Sequence, residues 1–146
     1  MPFRHRVALG FSLLVVLLVN VTVLEGRVDE MELTKKQADE VIASGQLKQV
    51  KSKSDLPKVW YRGMGVESMS DVGGPFSAGC TGSEPHSRVI AAAISDKYGV
   101  LLYEQGGIAH FRKLKLFSHK DKGIDCVYSE NIDEERIANI EDKFSK

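Results

Sequence analysis

Residues 88–128 read RVIAAAISDKYGVLLYEQGGIAHFRKLKLFSHKDKGIDCVY, and this stretch decides the fold. Short connections rich in glycine, aspartate and lysine separate four apolar or β-branched runs, at 88–95, 100–105, 108–117 and 124–128. A two-residue Gly106-Gly107 link between such runs is typical of a tight hairpin. We therefore predict a four-stranded antiparallel meander over residues 88–128.

The third run has an unusual pattern of apolar side chains. In an extended strand, Phe111 falls on one side, whereas Leu114 and Leu116 fall on the other. This pattern fits either a β-bulge near Arg112 and Lys113 or a strand that is half covered on each side.

A helix is predicted before the meander. Thr34 and Gln37 have the spacing of a capping box, and Gly45 suits a helix stop. Between them, apolar residues follow helical spacing, so a helix is expected over residues 34–44.

A second helix is predicted after the meander, over residues 132–144, where Ile137, Ile140 and Phe144 follow helical spacing. Helices flanking an antiparallel meander indicate an α+β domain with a mainly antiparallel sheet of four to six strands.

The chain between the first helix and the meander has no single periodic pattern. Residues 47–50 and 59–61 are predicted to form short strands with a turn between them. Residues 63–87 are rich in glycine, proline and serine, which predicts a Gly-rich loop. A connection of this length inside a small domain indicates either a functional loop or short elements without a periodic pattern.

Residues 7–24 form an uncharged, apolar run that follows Arg4 and Arg6. As a helix, this run would rise about 27 Å, which is close to the thickness of the bilayer hydrocarbon. Residues 1–26 are therefore predicted to be a signal anchor that contacts the membrane through residues 7–24. A cleaved signal peptide is the alternative, although residues 23–26 lack the small residues of a typical cleavage site.

The position of the basic residues predicts the topology of the chain. Basic residues tend to remain in the cytoplasm, so the N-terminus is expected inside and the C-terminal domain outside, in a periplasmic or extracellular space. If the leader is cleaved, the domain is expected to be secreted. Residues 27–33 are predicted to be a short polar stalk, and residues 34–146 a single extracytoplasmic domain.

The charges balance but are unevenly distributed. Lys and Arg number 20, as do Asp and Glu, so there is no electrostatic reason to expect nucleic-acid binding. Residues 48–62 and 112–122 are mainly basic, whereas residues 130–142 are mainly acidic. We interpret these clusters as solvated faces of opposite sign, with a surface for an anionic ligand as the alternative.

The chain has two cysteines, Cys80 and Cys126. In an oxidising compartment, an even pair inside one domain usually bridges, which predicts a Cys80–Cys126 disulfide. Such a bridge would stabilise the domain by about 4 kcal/mol through loop-closure entropy.

No established catalytic pattern is present in the sequence. It lacks a phosphate-binding loop, a nucleophile elbow and compactly spaced metal ligands, so no cofactor and no metal are expected. We predict a non-catalytic interaction module of the cell envelope that binds a protein or another envelope component. The alternatives are a hydrolase or transferase that uses Cys80 with His86 or His110, and a structural envelope protein.

Two glycine-containing segments are predicted to contact the partner, because glycine permits close approach to the backbone. The candidate contact residues are Phe76, Cys80 and His86 in the Gly-rich loop, and Glu104, Gly106, Gly107 and His110 in the hairpin.

Overall fold

The computed structural model of the chain describes residues 33–144. At their centre lies an antiparallel sheet of five strands, which are ordered as in the sequence. The strands are β1 (Lys48–Val50), β2 (Ser87–Ile94), β3 (Tyr98–Gln105), β4 (Phe111–Lys120) and β5 (Gly123–Asn131). The predicted meander is confirmed as β2 to β5, and the predicted strand at residues 47–50 becomes β1, which pairs with β2.

Both predicted helices are present and cover one face of the sheet, which we call the helical face. Helix α1 spans Lys35–Ala43 and helix α3, the third in chain order, spans Glu134–Phe144. The capping box is formed as predicted: the Thr34 side chain accepts from the Gln37 N–H, and the Gln37 side chain accepts from the Thr34 N–H at 2.9 Å. The α+β class is therefore confirmed.

The helical face contains the first of two buried clusters. Its members come from both helices, from Leu47 and from alternate positions of the central strands: Ala38, Ile42, Leu47, Ala91, Ala93, Val100, Leu102, Leu114, Leu116, Ile137, Ile140 and Phe144. Burying these apolar side chains is the main driving force for packing the helices on the sheet.

The opposite face, which we call the second face, is covered by helix α2 (Lys58–Gly63) and by two 3-10 turns, Lys53–Asp55 and Val66–Ser68. Its buried cluster contains Val50, Leu56, Trp60, Met64, Val66, Val89, Ala92, Leu101, Tyr103 and Phe117. Because β2 and β3 are covered on both faces, their sequences are nearly continuous apolar runs.

The predicted strand at residues 59–61 is wrong, because these residues belong to α2. Trp60 and Met64 are four residues apart, so a helix brings both side chains to the same side, where each is 4% exposed. The Trp60 ring packs where Gly99 has no side chain; a Cβ at Gly99 would lie 2.5 Å from Trp60 Cζ3.

The two explanations for the apolar pattern of β4 can now be separated. The pairing of β3 with β4 is unbroken through Arg112 and Lys113, so the predicted bulge there is wrong. The strand is instead covered on both sides, with Leu114 and Leu116 on the helical face and Phe117 on the second face. Register shifts occur between Val89 and Ala91 and beside Leu116 and Phe117.

The hairpin between β3 and β4 also differs from the prediction. Its connection spans residues 106–110 rather than the two glycines alone, because pairing ends at Gln105 and Phe111. Gly106 and Gly107 donate their N–H groups to residues outside the sheet, at 2.8 and 3.1 Å.

The predicted leader at residues 1–26 and the predicted stalk at residues 27–33, except for Leu33, lie outside the described residues. Within residues 33–144, no helix combines the length and the apolar composition needed to cross a membrane.

Candidate functional site at the hairpin end of the sheet

The predicted Gly-rich loop is attached to the sheet before it reaches the β3–β4 hairpin. The Ser70 N–H donates to the Ser87 carbonyl at 2.8 Å, and the Val89 N–H donates to the Ser70 carbonyl at 3.0 Å. These bonds form a parallel bridge at the edge of β2. The loop is thus fixed to the sheet at Ser70.

Asp71, next to Ser70, holds the loop to the chain that follows β1. Its carboxylate accepts the backbone N–H groups of Lys53 and Val72, each at 2.8 Å, and the Ser52 hydroxyl. Burial raises the pKa of Asp71, but these bonds and the nearby Lys53 charge outweigh it, so the pKa lies below its ordinary value.

Backbone hydrogen bonds then join the loop to the hairpin. Gly106 donates to the His86 carbonyl at 2.8 Å, and Gly107 donates to the Ala78 carbonyl at 3.1 Å. At Gly106, a Cβ would lie 2.3 Å from the Ser77 carbonyl oxygen, so only glycine fits without a backbone shift. The close approach that Gly106 permits is therefore used by the chain's own loop.

Glu104 is the central charge of this end of the sheet and is only 6% exposed. Arg88 donates to its Oε1 from Nε at 2.8 Å and also from Nη2, while Arg88 Nη1 donates to the Gly74 carbonyl at 3.1 Å. On the other side, His110 Nε2 lies 3.0 Å from Glu104 Oε2. Arg88 and His110 thus link the loop and the hairpin through one carboxylate.

The pKa of Glu104 reflects these contacts. Burial alone would raise this pKa, but the hydrogen bonds and charges of Arg88 and His110 outweigh the burial and lower it. Glu104 is therefore held as a carboxylate at neutral pH.

Phe76 packs over the ion pairs. The Arg88 guanidinium carbon lies 5.2 Å from the centre of the Phe76 ring, and the His110 ring centre lies 5.6 Å from it. These contacts hold the half-buried Phe76 in place.

Six of the seven predicted contact residues meet at this end of the sheet. Phe76, Glu104, Gly106, Gly107 and His110 make the contacts above, and His86 Nδ1 lies 3.3 Å from the Ser77 carbonyl. Cys80 lies on the same loop, is exposed, and forms no hydrogen bond with His86 or His110 in the described chain.

The predicted site omits Arg88 and does not single out Ile108. Arg88 is the cross-strand neighbour of Glu104, a pairing that depends on the register of β2 and β3. Ile108 lies in the predicted contact hairpin, and its side chain is fully exposed. The sequence does contain a feature that could identify Ile108 as a contact residue: it is a large apolar residue directly after two glycines, in a connection where polar residues are usual.

The predicted disulfide is not formed, since Cys80 and Cys126 are both free and exposed. Cys126 on β5 lies opposite Phe117, which is six residues along β4 from Phe111 at the hairpin end. Cys80, in contrast, is two residues from Ala78, whose carbonyl bonds the hairpin at Gly107. Six residues of strand span about 20 Å, well beyond the roughly 7 Å between Cα atoms that a disulfide permits.

The cluster contains an acid–base pair, but its polar groups are occupied by one another. Both oxygens of Glu104 are bonded, and among the described residues no hydroxyl or thiol is hydrogen-bonded to His110. No group of three or more metal-ligating side chains occurs in this part of the chain. The arrangement fixes the shape of the loop and the hairpin.

A separate groove of about 1020 Å³ lies at the other end of the sheet, beside β1. Trp60 and His119 line it, and its charged residues are of both signs: Lys48, Lys51, Lys97, Asp55 and Asp96. None of the predicted contact residues lies in this groove, and its mixed charge favours no ligand class.

Comparison of the chain with protein-family models, with curated proteins and with solved structures gave no match.

Proposed function

We propose that the chain is a non-catalytic binding module, placed outside the cytoplasm by its apolar leader, that binds a protein partner at the hairpin end of the sheet. The uncharged run at residues 7–24, which follows Arg4 and Arg6, supports this location. Retention of the leader would anchor the module to the membrane, and cleavage would release it.

The observation that carries this proposal is the exposure of Ile108 on a fixed support. Its side chain is 100% exposed, whereas the other large exposed apolar residues, Val59 and Val72, are 43% and 42% exposed. Single exposed apolar residues are common, but here the backbone on both sides is fixed by Gly107 and by the Glu104 cluster. A rigid apolar contact loses little conformational entropy when a partner covers it.

The same geometry disfavours the alternative in which Cys80 is a nucleophile. A thiol nucleophile needs a base within hydrogen-bond reach, and the ring of His110 is engaged by Glu104 and Phe76 instead. The ring of His86 is turned to the Ser77 carbonyl.

Site-specific crosslinking in cells tests the proposed surface. A photoreactive residue at Ile108 of the full chain should give a discrete adduct, whereas one at Ala138, which is exposed on helix α3, should not. Adding Gly106→Ala should weaken the Ile108 adduct, because the hairpin can no longer pack on Ser77. Equal adducts at both positions, or none at Ile108, would contradict the proposal.

The two exposed thiols allow a direct test of location. With reductant present, a membrane-impermeant maleimide should label Cys80 and Cys126 in cells whose cytoplasmic membrane is intact. Labelling that requires permeabilisation of that membrane would overturn the extracytoplasmic location without bearing on the binding surface.

A further inference from the structure

The second face of the sheet is covered unevenly. Helix α2 lies over one end, where Gly63 packs so closely on Ile124 that a Cβ would lie 2.3 Å from the Ile124 Cβ. Alternation along β4 places Lys113 and Lys115 on this same face, nearer the hairpin. Both lysines are partly exposed, so this part of the face is open to solvent.

Aromatic rings, rather than carboxylates, lie beneath these two lysines. Lys113 Nζ is 5.2 Å from the centre of the Phe111 ring, and Lys115 Nζ is 5.5 Å from the centre of the Tyr103 ring. Among residues 33–144, neither lysine forms an ion pair with a carboxylate. Across the strand pair, Lys113 and Lys115 face the exposed, uncharged residues Asn131 and Ser129.

Three cations on the helical side of the molecule have carboxylate partners. Arg112 Nη2 lies 3.0 Å from a carboxylate oxygen of Glu134, and Lys35 Nζ lies 3.0 Å from one of Glu130. Arg136 lies 3.3 Å from Glu130 and also bonds Asp39. Lys35, Arg112 and Arg136 thus have carboxylate partners, whereas Lys113 and Lys115 have none among residues 33–144.

Two further cations extend this charge onto α2. Lys58 and Arg62 line an open groove of about 530 Å³ above Gly123 and Ile124. They are four residues apart and therefore lie on one side of the helix. Together, Lys58, Arg62, Lys113 and Lys115 form what we call the basic strip.

We propose that the basic strip binds an acidic, extended segment of a partner protein. Lys113 and Lys115 are two residues apart on a strand, and so are separated by about 6.6 Å along it. Alternate side chains of an extended peptide have the same spacing, so acidic residues at positions i and i+2 would match both lysines. This surface is distinct from Ile108, and the proposal does not depend on the function proposed for the hairpin end.

The structure favours a peptide over other anionic partners. Single-stranded nucleic acid binds through bases stacked on open aromatic rings, but Tyr103 is only 5% exposed and lies under Lys115. A bilayer surface favours apolar side chains that insert beside the cations, but the exposed residues opposite Lys113 and Lys115 on β5 are Asn131 and Ser129.

The test compares how tightly two short fluorescent peptides of identical composition bind to the full chain. The chain is solubilised in a non-ionic detergent, and the titrations are done at low ionic strength. Glutamate and threonine alternate in one peptide, whereas in the other pairs of adjacent glutamates alternate with pairs of threonines, so that no two glutamates are two residues apart. We expect anisotropy titrations to show several-fold tighter binding of the alternating peptide. The double variant K113Q/K115Q should bind it about tenfold more weakly, since two exposed ion pairs are lost.

The matched control is K36Q/K143Q, which removes two cations from α1 and α3 and should leave the affinity unchanged. Thermal melts should show that both double variants fold, because all four side chains are at least partly exposed. Equal affinity for the two peptides, or an equal loss in the control, would overturn the proposal. Tighter, K113Q/K115Q-sensitive binding of oligouridine or of phosphatidylglycerol vesicles would overturn it in favour of that partner.

Discussion

The meander with its two flanking helices and the irregular segment at residues 51–86 contribute to the same fold in different ways. In the first region, apolar residues recur with the period of a strand or a helix and fill the cluster of the helical face. In the second region, a few large side chains, such as Trp60 and Val66, pack on meander residues in the other cluster, and single hydrogen bonds position the backbone. An irregular segment can therefore be as much a part of the core as regular elements.

The largest expected effect tests whether the irregular segment is truly part of the core. Trp60→Ala should lower the free energy of unfolding by about 3–5 kcal/mol, as much as Ile140→Ala on the helical face, because both side chains are buried. Urea denaturation measures both values.

Val59→Ala is the control, because Val59 is 43% exposed on the same short helix and its truncation should change stability by less than about 0.5 kcal/mol. A loss below about 1 kcal/mol for Trp60→Ala would mean that the segment is only appended to the sheet.

The ion pairs of Glu104 should have the next largest effect, because they hold Arg88, which in turn bonds the irregular segment at the Gly74 carbonyl. Glu104→Gln should cost about 2–3 kcal/mol, because the Arg88 guanidinium loses its charged acceptor at a site from which water is largely excluded. The folded-state pKa of Glu104 lies below its ordinary value of 4.5. The contribution of the Glu104 carboxylate to the free energy of unfolding is therefore complete above pH 4.5 and is lost as the pH falls through the lower, folded-state pKa.

Stability measured from neutral pH downward should fall more steeply below pH 4.5 in the wild-type chain than in Glu104→Gln. Glu84, an exposed residue of the irregular segment, provides the control, and Glu84→Gln should keep the wild-type slope. Parallel curves for the wild type and Glu104→Gln would show that this carboxylate does not couple the loop to the hairpin.

Gly106 tests the backbone contact between the two regions. Gly106→Ala should cost about 1–2 kcal/mol, because the new methyl group would lie 2.3 Å from the Ser77 carbonyl oxygen and the loop must move. Gly79→Ala, in the same loop, meets no atom within 4 Å and should be nearly neutral. Similar melting temperatures for the two variants would indicate that the loop does not pack on the hairpin.

The smallest expected effect concerns the cysteines, one in each region. Cys80→Ser and Cys126→Ser should each change the free energy of unfolding by less than about 0.5 kcal/mol, because both thiols are exposed and unpaired. Equal losses near 4 kcal/mol, abolished by reductant, would instead indicate the disulfide expected from the compartment.

The sequence predicted those parts of the structure whose determinants are close together along the chain. The capping box of Thr34 and Gln37 spans three residues, and the strands of the meander are joined by short turns, so each pattern can be recognised locally. The helix at Trp60 was mistaken for a strand, because three consecutive large residues fit either structure until the partner at Gly99 is known.

The candidate site shows the same limit. Its loop and hairpin were predicted because glycine and chemically active residues cluster there in the sequence. Arg88 was missed because its partners, Glu104 and Gly74, are assigned only by the strand register and the path of the loop. The predicted compartment favours a Cys80–Cys126 disulfide, but the distance between the two residues depends on the strand register, which sets Cys126 far from the hairpin end.

The outer edge of β2 is protected in two separate places. The three residues of β1 pair with residues 92–94, and Ser70 bridges to Arg88 farther along the strand. A bare strand edge is a template on which other chains can add and aggregate. Loosening of the segment around Ser70 would expose part of this template, so the chain's solubility depends on the same segment that supports its candidate binding surface.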